Sequence, residues 1–104
     1  MNSERIKMLE QFVDEDPTDP FNRYALGLEL VKSNKLRAKE IFDQLILVNP
    51  NYVPAYYQAA LLYIELTLNE EATLIIEKGI TQSKKQDNLK AVSELKSLLD
   101  EIDN

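Results

Sequence analysis

A chain of 104 residues, with a 44% apolar fraction and only 2 glycines, fits one compact, helix-rich domain. It has no cysteine and no histidine, so disulfides and thiolate metal sites are excluded, and we expect no enzyme activity, no metal and no cofactor because the commonest catalytic bases and nucleophiles are missing. The net charge of −6 opposes binding to nucleic acid or to an anionic membrane surface, and no apolar run is long enough for a membrane span.

The spacing of the apolar residues predicts six helices and no strand. Apolar residues recur at helical intervals in each segment, whereas no segment alternates with a period of two. Asp19 is expected to cap the second helix, with Pro20 in its first turn, and Asn69 and Asp87 are expected to cap the fifth and sixth helices. The predicted helices span about residues 4–15, 20–32, 35–48, 54–66, 70–85 and 88–102.

The chain also repeats itself at an interval of 33 to 34 residues. A period of this size indicates a helical solenoid, in which each unit buries its apolar face by stacking on the next unit. The recurring segments are Asp16-Pro17 with Asn49-Pro50, Tyr24 with Tyr57, Leu26-Gly27 with Ala59-Ala60, and Ala38-x3-Phe42 with Ala72-x3-Ile76.

These spacings resemble the tetratricopeptide repeat, whose pattern is W-x2-L-G-x2-Y, then A-x3-F, then P. Arg23 departs from the pattern at the Trp position, and Lys84 departs from it at the final Pro. The matching positions of the first full unit are Leu26-Gly27, Leu30, Ala38, Phe42 and Pro50. Those of the second unit are Tyr56, Ala59-Ala60, Tyr63, Ala72 and Ile76.

The resemblance implies an all-α solenoid of antiparallel helix pairs that forms a right-handed superhelix within a single domain, residues 1–104. Its expected parts are a half-repeat helix (4–17), a first repeat (18–50), a second repeat (51–84) and a C-terminal capping helix (87–102). Gly27 is expected to lie where two helices approach closely, and Glu29 is expected to face solvent. The resemblance also implies a non-enzymatic scaffold for protein–protein interaction.

The first helix of each full unit carries two apolar stripes. One stripe is expected to pack within the unit, and the other lies about a third of a turn away. In the family that the chain resembles, the positions of the second stripe line the concave groove where partner segments bind. The resemblance therefore implies an apolar and aromatic groove. The candidate partner-binding residues are Tyr24, Leu28, Val31, Tyr57, Leu61 and Ile64.

Three occupants of this groove are compatible with the sequence. A segment of another protein, or a peptide, is the interpretation that we adopt, although its identity does not follow from the sequence. A homodimer that buries the groove is the main alternative, and the last helix of the same chain could also cover it. Because Met1–Arg5 does not resemble a signal peptide, we expect a cytoplasmic protein.

Overall fold

The computed structural model describes residues 3–103, and these residues form six α-helices and no strand, as the sequence predicts. The helices fall into two compact units, which divide between Pro50 and Asn51. Within the described residues, no helix is both long and apolar enough to cross a membrane. In chain order the helices are α1 (Ser3–Glu15), α2 (Pro20–Val31), α3 (Lys35–Val48), α4 (Pro54–Glu65), α5 (Asn69–Lys85) and α6 (Leu89–Asp103).

In the first unit, α2 packs against both α1 and α3. A β-carbon at Gly27 would lie only 2.8 Å from two ring carbons of Phe42. The position therefore requires a residue without a side chain, as the repeat predicts, and it lets α2 approach α3 closely. The buried apolar side chains of this unit are Leu9, Leu26, Leu30, Ala38, Ile41, Phe42, Leu45 and Ile46.

Polar contacts fix the helix ends in the first unit. The Asp19 carboxylate accepts the backbone N–H of Phe21 at 3.0 Å, which confirms the predicted cap of α2. The Asn34 side chain caps α3 in the same way, because its oxygen accepts the backbone N–H of Arg37 at 3.1 Å. The Arg37 guanidinium also forms an ion pair with Glu10, which connects α3 to α1.

In the second unit, α5 packs against both α4 and α6, and α6 also contacts α4. A β-carbon at Gly79 would lie 2.7 Å from Cβ of Tyr56 and 3.0 Å from Cδ1 of Leu95. This glycine therefore allows α5 to approach both of its neighbours. The buried apolar side chains of this unit are Val53, Ala55, Tyr56, Ala59, Ala60, Leu62, Tyr63, Ala72, Ile76, Val92, Leu95 and Leu98.

Two helix starts differ from the sequence prediction. Asp87 does not cap α6, because its φ of 55° is left-handed and it ends α5 instead. In that conformation the backbone N–H of Asn88 donates to the carbonyl of Ser83 at 2.9 Å. The Asn88 side chain then caps α6 by accepting a backbone N–H from its first turn. Asn69 lies within α5, and Leu68 precedes the helix without a side-chain cap.

Candidate functional site

The second stripe of α2 is accessible, whereas its packing stripe is not. The packing residues Leu26, Gly27 and Leu30 are buried against the neighbouring helices of the first unit. The predicted partner-binding residues lie on a different face of α2 and keep part of their surface exposed. They are Tyr24, Leu28 and Val31, all half-buried.

The second stripe of α4 has the same character in the second unit. Helix α6 packs against α4 but leaves this stripe partly accessible. The packing residue Tyr56 is 1% exposed, and burial raises the pKa of its phenol above the ordinary value of 10.0. The predicted binding residues here are Tyr57, Leu61 and Ile64, all half-buried.

One exposed aromatic side chain lies beside the second stripe of α2, and the sequence interpretation missed it. Phe21, in the first turn of α2, is 61% exposed. It lies three residues before Tyr24 and seven residues before Leu28, an interval of one and two helical turns, so it shares their side of the helix. The same periodicity, extended back by one turn, would have found it.

The main correction to the sequence interpretation is Glu29, which is 4% exposed and does not face solvent. Its Oε1 lies 3.3 Å from Nε of Arg5 on α1, and its Oε2 lies 2.8 Å from Nζ of Lys32. Helix α1, which carries Arg5, packs against α2, and the two cations compensate the charge of the carboxylate. A buried carboxylate needs such partners because an uncompensated charge is costly away from water.

An open pocket of about 590 Å³ connects this charged cluster to the apolar stripe of α2. Leu28 belongs to the predicted stripe, and Ala25 is adjacent to it. The side chains of the charged cluster line the rest of the pocket. The pocket is therefore lined by both apolar and charged groups. The lining residues are Arg5, Ala25, Leu28, Glu29 and Lys32.

The part of the chain that the structure describes contains no cluster of metal-ligand side chains. Within residues 3–103, no three carboxylates lie close enough together to hold a metal ion. The side chains described above can take part in apolar contact, in hydrogen bonding by tyrosine hydroxyls and in ion pairing by Arg5 and Lys32.

Comparison with known proteins identifies structural relatives. A crystal structure of a tetratricopeptide repeat domain protein from Salinibacter ruber is 33% identical, with a TM-score of 0.78, and the match covers 83% of this chain and 98% of that chain. A solution NMR structure of a tetratricopeptide repeat domain protein from the same organism is 35% identical, also with a TM-score of 0.78, over 84% and 89% of the two chains. Neither the protein-family models nor the curated proteins give a match.

Proposed function

Because this chain belongs to the tetratricopeptide repeat family, we propose that it is a non-enzymatic module that binds a segment of another protein. The fold of this family is generally an interaction scaffold. The proposed contact residues are the second stripe of α2, extended by Phe21, in the first unit, and the second stripe of α4 in the second unit. A cytoplasmic location is part of the proposal, and cell fractionation would test it.

The observation that carries the proposal is the accessibility of equivalent apolar positions in both units. Tyr24, Leu28 and Val31 recur 33 residues later as Tyr57, Leu61 and Ile64, and none of the six is buried. The neighbouring packing positions are buried in both units. Apolar surface that remains accessible at regular intervals is typical of a place where another molecule binds.

The composition of the stripes indicates the kind of contact. Tyr24 and Tyr57 combine a large apolar ring with a hydroxyl that can form a hydrogen bond at the edge of an interface. Aromatic residues of this kind contribute a large share of the binding energy in protein interfaces. The surface therefore suits a peptide segment with apolar side chains, bound by ring and methyl contacts.

A displayed library of random peptides, sorted on the purified protein, would test the proposal. The test variant is Tyr57→Ala with Leu61→Ser, which removes the centre of the α4 stripe. The control is Leu47→Ser with Leu74→Ser, which removes two exposed leucines outside the stripes. We expect the test variant to lose binding of the selected peptides, while the control keeps it and circular dichroism shows unchanged helix content in both.

The outcomes separate the proposal from its alternatives. Peptides that bind both variants equally well would contradict the proposed surface. If light scattering shows a dimer that only the test variant dissociates, the homodimer is the correct interpretation. If the test variant unfolds, the α4 stripe is part of the core and does not bind a partner.

A further inference from the structure

In the charged cluster of the first unit (Glu29, Arg5 and Lys32), the carboxylate is buried and the two cations are exposed to solvent. Glu29 is 4% exposed, whereas the side chains of Arg5 and Lys32 are 51% and 75% exposed. The cluster therefore presents a net charge of about +1 to solvent (two cations and one carboxylate), although the whole chain carries −6. This local excess of positive charge borders the pocket described above.

Fold stability alone does not account for this cluster. The position equivalent to Glu29 in the second unit is Leu62, which is buried as an ordinary core residue. Replacing a buried ion pair by well-packed hydrocarbon of similar volume is often neutral or stabilising. The second unit carries hydrocarbon at this helix position, so the repeat itself does not require charges there.

The two cations have donors to spare. Arg5 Nε lies at ion-pair distance, 3.3 Å, from Oε1 of Glu29 without donating a hydrogen bond to it, and the two Nη groups of the guanidinium are further donors for another acceptor. Lys32 directs one N–H of its ammonium group toward Glu29 and has two more. Glu29 anchors both side chains, so the entropy lost on binding a further carboxylate is smaller than for free surface cations.

We propose that this pocket binds the carboxylate of an Asp or Glu side chain within the partner segment. An apolar residue of the same segment would pack on Leu28 and Phe21. This inference rests on the proposed function, since it names the chemistry of the partner at the same surface. The acidic side chain is held by charge-assisted hydrogen bonds from Arg5 and Lys32.

The helix geometry sets the expected spacing in the partner. At 1.5 Å per residue, Lys32 lies about 6 Å along α2 from Leu28 and about 16 Å from Phe21. An extended peptide advances about 3.3 Å per residue. The acidic residue should therefore fall about two to five residues from the apolar anchor.

The sorted peptide library provides the test. Each displayed peptide is followed by a constant neutral sequence, so no terminal carboxylate is available and any acid that binds in the pocket belongs to a side chain. We expect the selected peptides to be enriched in Asp and Glu at the spacing above. One selected peptide is then synthesised with a C-terminal amide, together with a second version in which Asn or Gln replaces the acid. We expect the wild-type protein to bind the acidic version about tenfold more tightly.

Variants of the protein locate the effect. Arg5→Ala and Lys32→Ala should each reduce the preference for the acidic peptide to about threefold or less, because a donor to the carboxylate is gone. The matched control is Lys7→Ala, on the same helix as Arg5 but at an exposed position on a different face. It should keep the tenfold preference, and thermal melting confirms that each variant is folded.

The results distinguish this inference from the function on which it rests. Selected peptides whose binding is weakened by Phe21→Ala but that show no acidic enrichment would overturn the inference and leave the proposed function intact. The same conclusion follows if the preference for acid persists in both Arg5→Ala and Lys32→Ala. If the free C-terminal carboxylate of a synthetic peptide binds and its side-chain acid does not, the pocket recognises a chain end instead. A library that yields no binding peptide would overturn both proposals.

Discussion

Glu29 on α2 and Leu62 on α4 hold equivalent repeat positions, and both are buried, with 4% and 2% of their surfaces exposed. Glu29 is compensated by Arg5 and Lys32. Three residues after Leu62 the chain carries Glu65, where the first unit has Lys32. In the first unit two cations compensate the carboxylate, whereas α4 itself contains no Lys or Arg.

Exchanging these side chains should therefore have unequal effects. Leu62→Glu places a carboxylate in a buried site without cations from the same helix, and we expect the free energy of unfolding to fall by about 3–5 kcal/mol. Glu29→Leu should be neutral or stabilising, since leucine fits the equivalent position and the half-exposed cations return to water. Urea denaturation of both variants measures the difference. Equal losses would show that the two positions are not equivalent.

The same comparison shows what the sequence could reveal. The six helices and the close approach of two helices at Gly27 were predicted correctly because they depend on local periodicity and on the repeat interval, whereas the structure identifies Phe42 as the residue that Gly27 meets. The burial of Glu29 was missed because its partner Arg5 lies on another helix, and a charged residue in a helix ordinarily faces solvent. Aligning Glu29 with Leu62 would have exposed the error. The prediction that Asp87 caps α6 was wrong, because Asp87 adopts the left-handed conformation that ends α5.

The contact between Gly27 and Phe42 predicts a large effect of added volume. Gly27→Leu should destabilise the protein by about 1–3 kcal/mol or more, because even a β-carbon would lie within 2.8 Å of the buried ring. Ala25→Leu is the matched control, since Ala25 lies on the same helix beside an open pocket. It should change the melting temperature little. Equal melting temperatures would contradict the described packing of α2 on α3.

Two leucines of α6, one buried and one exposed, allow a matched pair of substitutions. Leu95→Ala should cost about 2–5 kcal/mol, because the side chain is buried against α5 beside Gly79. Leu89→Ala, on the same helix, should have little effect because Leu89 is 77% exposed. Chemical denaturation measures both. If the Leu95 variant is as stable as the Leu89 variant, α6 is not an integral part of the second unit.

Tyr56 makes stability depend on pH in the alkaline range. Burial raises the pKa of its phenol, so the folded protein keeps this proton to a higher pH than the unfolded chain does. The contribution is fully present below about pH 10 and is lost as pH rises through the raised pKa, by up to about 1.4 kcal/mol per pH unit. Tyr56→Phe should show a shallower decline in urea denaturation between about pH 9 and 11. Parallel declines for the two proteins would contradict this assignment.

Phe21 provides the last prediction, because the stripe on α2 should extend to it. We expect Phe21→Ala to weaken binding of a selected peptide about tenfold, since an exposed aromatic ring beside an apolar stripe is a strong contact point. Its stability should change little, because the ring is largely exposed in the free protein. The control is Leu47→Ala, which removes a side chain that is 82% exposed on α3 and outside the stripe. Isothermal calorimetry with one peptide compares both variants with the wild type. If Phe21→Ala binds as tightly as Leu47→Ala does, the contact surface on α2 begins at Tyr24, and the partner segment runs no further toward the start of the helix.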